Sequence, residues 1–340
     1  MDFARQRLAL GAAGAGRRSH AAGLDSTRAG VGSRAFGGSV TRDDIRPDRH
    51  RIQHASVRGL RIGYVDEGRG TALLLVHGWP ESMRIWWRNI APLAAAGFRV
   101  IAADLRGFGT SDVAPDGFHD VPSHSRDLAA LLDRLGIERV VLVGGDLGGA
   151  VLQDFVLRFP ARVLRIVVFN SPLPFIKGAM QGLRTRAARE ASDYFVRQGN
   201  DADALAAELD SPEKRRRYIA TFYGSRFWSH PGAFDAPAVD FMTEPYADGA
   251  KLRASFGGYE SSFHERARSE PSLRGVIEAE TLILYGPSDH VIYPEFDLMA
   301  AIVFPNHVGP LLVRNAGHFL QWEAAHALNS AVRAFCRDLA

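Results

Sequence analysis

The sequence predicts an α/β fold: a mostly parallel sheet covered by helices on both faces and interrupted by one helical insertion. Two observations predict it. From residue 54 onward, short β-rich runs alternate with helical patterns, and the runs are continuously apolar, as strands buried on both faces must be. Between Pro172 and Glu270 that rhythm stops, leaving helical patterns, charge runs and many aromatics without a buried strand.

Strands are expected at 60–65, 72–76, 99–103, 140–143, 163–169, 281–285 and 309–313. Helices are expected at 85–95, 123–135, 148–158, 296–302 and 320–339. The core is therefore assigned to 51–171 and 271–340, and a helical cap to 172–270. Residues 1–50 hold nine arginines, five aspartates and almost no aromatic residues, and are expected to be a disordered tail.

The 340 residues are 46% apolar and 23% charged, enough to bury a large core without staples. The net charge of +3 is local, because beyond residue 50 the chain balances 32 basic against 33 acidic residues. A neutral body excludes a nucleic-acid groove. Cys336 stands alone and reads as a small buried hydrophobe, so no disulfide is expected. Arg17-Arg18 is followed by no apolar signal stretch, and no apolar run reaches the roughly 18 residues of a membrane span. A cytoplasmic protein without membrane partners is expected; oligomeric state is not legible.

Chemistry enters at the fourth expected strand, which runs into Gly144-Gly145-Asp146-Leu147-Gly148-Gly149 and then a helix. A nucleophile between small residues at a strand-to-helix joint is lifted above the sheet by a strained turn. Gly144 and Gly148 shape that turn, and the helix start favours an anion there. Downstream, Asp289 follows a buried strand and His318 follows the next one, giving the order nucleophile, acid, histidine. His77-Gly78-Trp79-Pro80 follows strand 72–76. In this arrangement Trp79 and Leu147 supply the backbone N–H groups of an oxyanion hole, and His77, Gly78 and Pro80 shape the loop. His77 reads as a brace rather than a reacting group. No His, Cys, Asp or Glu cluster has metal-ligand spacing, so neither metal nor cofactor is expected.

With these residues in hand, the chain from Ser56 to Phe335 resembles the α/β-hydrolase superfamily, and within it the epoxide hydrolase and haloalkane dehalogenase branch. His77-Gly78-Trp79-Pro80-Glu81-Ser82 is similar to the H-G-x-P-E stretch of epoxide hydrolases, and residues 104–111 match the branch's D-x-R-G-x-G-x-S turn. The resemblance implies two cap tyrosines that donate protons to the epoxide oxygen. Tyr259, in Phe256-Gly257-Gly258-Tyr259, and Tyr194, in Asp193-Tyr194-Phe195, occupy the corresponding contexts, with Tyr218 and Tyr223 competing for the role of Tyr194. Two departures count against a halide site. Leu147 and Trp79 stand where haloalkane dehalogenases carry tryptophan and asparagine, and no arginine follows the nucleophile as in fluoroacetate-type enzymes.

The implied reaction opens a small apolar epoxide with water to a vicinal diol. Asp146 would attack the saturated carbon to form an alkyl ester, and His318, oriented by Asp289, would activate the water that hydrolyses it. Phe222, Phe227, Trp228 and Phe241 suggest an apolar pocket. Hydrolytic dehalogenation with the same triad and a non-catalytic ligand-binding role are the alternatives.

Overall fold

The computed structural model describes residues 41–340. Among these the strands are β1 (Gln53–Val57), β2 (Leu60–Gly68), β3 (Ala72–Val76), β4 (Arg99–Ala103), β5 (Val140–Gly145), β6 (Val163–Phe169), β7 (Thr281–Tyr285) and β8 (His307–Leu312). They form one sheet in the order β1-β2-β4-β3-β5-β6-β7-β8. β2 pairs antiparallel with both β1 and β4, and the pairings from β4 through β8 are parallel. All seven expected strands are present. β1 was not expected because only Ala55 and Val57 of its five residues are buried, too few to stand out as an apolar run.

Leu73, Leu74, Leu75, Val76, Val141, Leu142 and Val143 are wholly buried, which is why β3 and β5 read as continuous apolar runs. The helices that cover the sheet before the insertion are α1 (Ile90–Ala94), α2 (Val121–Arg134) and α3 (Asp146–Arg158). Six follow between β6 and β7: α4 (Arg189–Asn200), α5 (Ala202–Glu208), α6 (Pro212–Tyr223), α7 (Ala236–Thr243), α8 (Gly249–Ser255) and α9 (Gly257–Phe263). α10 (Phe296–Val303), α11 (Leu320–Glu323) and α12 (Ala325–Phe335) complete the chain.

Three expectations are corrected. The helix expected at 85–95 is a 3₁₀ turn, Met83–Trp86, followed by α1; Pro92 is tolerated because it falls in the first turn of so late a start. The helix expected at 320–339 breaks at Ala324, whose backbone leaves the helical region. Residues 41–50 are folded rather than part of a tail. The Arg46 carbonyl accepts the Trp87 indole N–H at 2.9 Å, and buried His50 sits 2.6 Å from Glu67. The rest of the expected tail, residues 1–40 with Arg17-Arg18, lies outside the described residues.

The insertion returns to the core on polar anchors. Ser269 N–H donates to Asp120 at 2.7 Å, Glu270 pairs with Arg126 and Arg158, and Leu273 N–H reaches Asp154 at 2.7 Å. Beneath the β4 end, the 104–111 turn is a structural knot. Asp104 accepts from Met83 N–H and Thr110 N–H, while buried Arg106 forks onto Asp127 at 2.5 and 2.7 Å. Arg106→Met would leave the 4%-exposed Asp127 carboxylate with only its single contact to Arg58 Nη1 at 2.8 Å. Breaking a buried pair from one side costs about 3–5 kcal/mol, and the remaining Arg58 contact sets the expected loss at the lower end of that range. The urea midpoint should fall accordingly with the slope unchanged, and an unchanged midpoint would show that the ion pair contributes nothing.

Candidate active site

β5 ends at Gly145 and α3 begins at Asp146 with no linker, so the chain turns within one residue. Asp146 absorbs that turn with a φ of 47°, in the left-handed region that a residue with a Cβ enters only under constraint. Neighbouring backbone must then pass very close. A Cβ at Gly78 would lie 2.6 Å from the Asp146 Cβ, and one at Gly148 would strike the Val76 and His77 carbonyls. Gly144 has the Val76 carbonyl 2.9 Å from where its Cβ would be. The expected loop-shaping glycines are thus explained by contact.

The Asp146 side chain is 11% exposed. Its Oδ1 accepts the Trp79 N–H at 2.7 Å, and its Oδ2 lies 3.3 Å from His318 Nε2 without the alignment of a hydrogen bond. On the far side of the imidazole, Nδ1 is 2.9 Å from Asp289 Oδ2. Asp289 Oδ1 accepts from the N–H groups of Val291 and Ile292, which fixes the carboxylate's plane. Burial alone would lower the His318 pKa, but the charges of Asp289 and Asp146 and the bond to Asp289 outweigh it and hold the imidazole well above its ordinary value. The Leu147 N–H belongs to the first turn of α3, whose donors have no partner within the helix. His77 is a brace: Nδ1 meets the Gly78 carbonyl at 2.8 Å and Nε2 accepts the Leu105 N–H at 3.0 Å. Pro80 follows Trp79 through a cis bond.

Several holding residues were not singled out from the sequence. Asn170, at the end of β6, accepts the Asp146 N–H on its carbonyl and the Gly286 N–H on its side chain. Its amide donates to the carbonyls of Gly317 and His318, so one residue binds the nucleophile, acid and histidine loops. The available signal was a polar Asn-Ser pair at the carboxyl end of a buried strand, where such sheets gather their ligand loops. Glu81 accepts the Gly78 N–H at 2.6 Å and the Gln321 amide at 2.8 Å. Its burial, reinforced by the Asp146 charge, pushes its carboxyl up to about 7.

The insertion closes over Asp146 with aromatic rings. Tyr194 stacks on Trp79 at 5.6 Å and 7°, Tyr259 meets Trp79 edge-on at 5.4 Å, and the two tyrosine rings lie 5.7 Å apart. Burial, then the Asp146 charge on Tyr194 and the neighbouring Tyr194 on Tyr259, hold both phenols well above their ordinary pKa. The competing tyrosines are engaged elsewhere: Tyr218 accepts from the Gln198 amide, and Tyr223 donates to the Pro80 carbonyl at 2.6 Å. Phe222 and Trp228 join the cluster, and Trp228 packs edge-on against His318 at 4.6 Å. Phe241 instead packs against Trp87 beneath Arg84, and Phe227 lies under Arg226. Among the described residues no cluster of three His, Cys, Asp or Glu could hold a metal ion, and no helix is long and apolar enough to cross a membrane.

A family model described as alpha/beta hydrolase fold matches residues 71–325. An epoxide hydrolase of Caballeronia sordidicola is 27% identical, over 84% of this chain and 93% of that protein. A 2-hydroxy-6-oxo-2,4-heptadienoate hydrolase of Pseudomonas putida F1 is 31% identical, over 78% of this chain and 88% of that one. Among solved structures, a ligand-free epoxide hydrolase superposes with a TM-score of 0.74 at 23% identity, covering 85% of this chain and 99% of that chain.

Asn170→Ala would orphan the buried Gly286 N–H and remove both donors to the histidine loop. The expected cost is about 1–3 kcal/mol for each buried group left unpaired, read from denaturant unfolding. A loss below about 0.5 kcal/mol would mean the three loops hold together without it.

Proposed function

The chain belongs to the α/β-hydrolase family and is a hydrolase, and on that footing we propose that it opens epoxides to vicinal diols through an alkyl ester on Asp146. The observation that carries this reading is a carboxylate at the elbow, held by the Trp79 N–H, with two buried phenols, Tyr194 and Tyr259, packed on the Trp79 ring and against each other. The likeness to the Caballeronia epoxide hydrolase supports it. A carboxylate is a poor choice for attack on a planar carbonyl but can displace a ring oxygen in line from a saturated carbon.

In the resting site His318 lies between two carboxylates, Asp146 and Asp289, whose charges favour its protonated form. Asp146 Oδ2 attacks the epoxide carbon while Oδ1 stays on the Trp79 N–H. The C–O bond breaks and a tyrosine hydroxyl gives its proton to the departing oxygen. Ester formation removes the Asp146 charge, and with it much of what holds the imidazolium. Its proton then passes to the phenolate just formed, leaving His318 neutral. The neutral imidazole takes a proton from water as the water attacks the Asp146 carboxyl carbon. Trp79 N–H, with Leu147 N–H, stabilises the tetrahedral oxyanion; one such donor is typically worth about 2.7–4 kcal/mol. Collapse transfers the new carboxyl proton to the diol alkoxide and restores the starting site. The substrate class is a small apolar epoxide, since the walls are aromatic.

Hydrolytic dehalogenation is less well supported: Leu147 offers no side-chain donor, and the Trp79 indole N–H is occupied by Ser255 Oγ at 3.1 Å.

One turnover of styrene oxide in ¹⁸O-water should put label into Asp146, read by peptide mass analysis; label in the diol alone would overturn the covalent route. Tyr194→Phe and Tyr259→Phe should each slow ring opening by about 10²–10⁴-fold in single-turnover kinetics, and equal rates in the double variant and the parent would remove the phenols from the mechanism. The charge argument also fixes a sign. His318 must lose its proton for hydrolysis, and the ester lowers its pKa relative to the resting site. The acid limb of ester hydrolysis, along which the rate rises as His318 loses its proton, should therefore lie at lower pH than the resting imidazole titration followed by NMR; coincident values would contradict it.

A further inference from the structure

One buried carboxylate near the imidazole has no part in the reaction as written. Glu323 ends α11, five residues after His318, and it is 8% exposed. Its Oε2 accepts two peptide N–H groups, those of Gly317 and His230, both at 2.8 Å. Its Oε1 accepts a third, from Phe319 at 3.0 Å. Gly317 and Phe319 are the residues on either side of His318, and His230 belongs to the insertion. Both backbone neighbours of the imidazole therefore hang on one side chain, in a place where water offers little substitute. The His318 N–H itself donates to the Trp228 carbonyl at 2.6 Å, two residues from His230. No side chain fits at position 317, where a Cβ would lie 2.5 Å from the Trp228 carbonyl and 2.8 Å from the His230 nitrogen. The same short helix reaches the other half of the site, because Gln321 holds Glu81 and Glu81 holds the Gly78 N–H.

We propose that Glu323 is the positioning residue of the hydrolytic half of the reaction: by gripping the peptide groups on both sides of His318 and that of His230, it sets the imidazole against Asp146 and locks it to the insertion. The inference rests on the two-step reading above. Glu323 touches no reacting atom, so its effect should fall on the step that needs the imidazole as base. Ring opening, which uses Asp146 and the phenols, should be nearly indifferent to it. A glutamine at 323 keeps one acceptor oxygen but turns an amide NH₂ towards at least one of the three N–H donors, whichever way it is flipped. Aspartate keeps the charge and both acceptors on a shorter arm.

The test is rapid-quench kinetics with styrene oxide, following ester on Asp146 by intact-protein mass. Parent, Glu323→Gln, Glu323→Asp and His318→Gln are compared. For Glu323→Gln, ester formation should stay within about threefold of the parent while ester hydrolysis slows by roughly 10- to 100-fold, the scale on which a misplaced reacting group costs rate. Glu323→Asp should recover part of that loss. Retained ester formation also certifies that the variant is folded. If Glu323→Gln hydrolyses its ester like the parent, or loses both steps equally, the inference fails. His318→Gln separates the two levels: ester that accumulates there upholds the covalent reading, and ester absent there removes that reading whatever Glu323 does.

Discussion

One backbone conformation underlies this site, the left-handed turn at Asp146 where a buried strand becomes a helix without an intervening loop. Such a residue costs of the order of 1–3 kcal/mol and persists only where its surroundings leave no alternative. Here β5 is held on both sides, by β3 and β6, and α3 starts where β5 stops. The strained residue is thus compelled to lift its carboxylate out of the sheet. Every tight approach nearby follows from this: Gly78 beside the Asp146 side chain, and Gly148 against the end of β3.

The parts of the structure legible in the sequence are those whose cause is local. β3 through β7 announce themselves because burial on both faces demands unbroken apolar runs. Asp146 and Asp289 announce themselves because each follows such a strand, and His318 because it follows the next, half-exposed strand β8; the two carboxylates lie 3.3 and 2.9 Å from its imidazole. β1 was hidden because its pairing with β2, rather than its own composition, makes it a strand. The fold of residues 41–50 was hidden for the same reason: the Glu67 and Trp87 side chains that hold it lie 17 and 41 residues further along the chain. Tyr194 and Tyr259 came from family context, since nothing in the spacing of two residues 65 apart says that their rings meet.

The residues that reading missed share one property. Asn170 and Glu323 act through peptide groups of neighbouring loops, and a peptide group leaves no mark in a sequence. Their side chains are buried polar groups, which are expensive unless fully partnered, and their partners are the N–H and C=O groups that the loops cannot satisfy for themselves.

The hydroxyls of Tyr223 and Tyr246 descend from the insertion onto the carbonyls of Pro80 and Glu81, so the loop that presents the Trp79 N–H is clamped from above. Transplanting the insertion from a relative to change substrate range would remove both clamps unless the graft supplies equivalent phenols. A chimaera could then fold, bind and still run slowly, because its lid no longer steadies the floor beneath it.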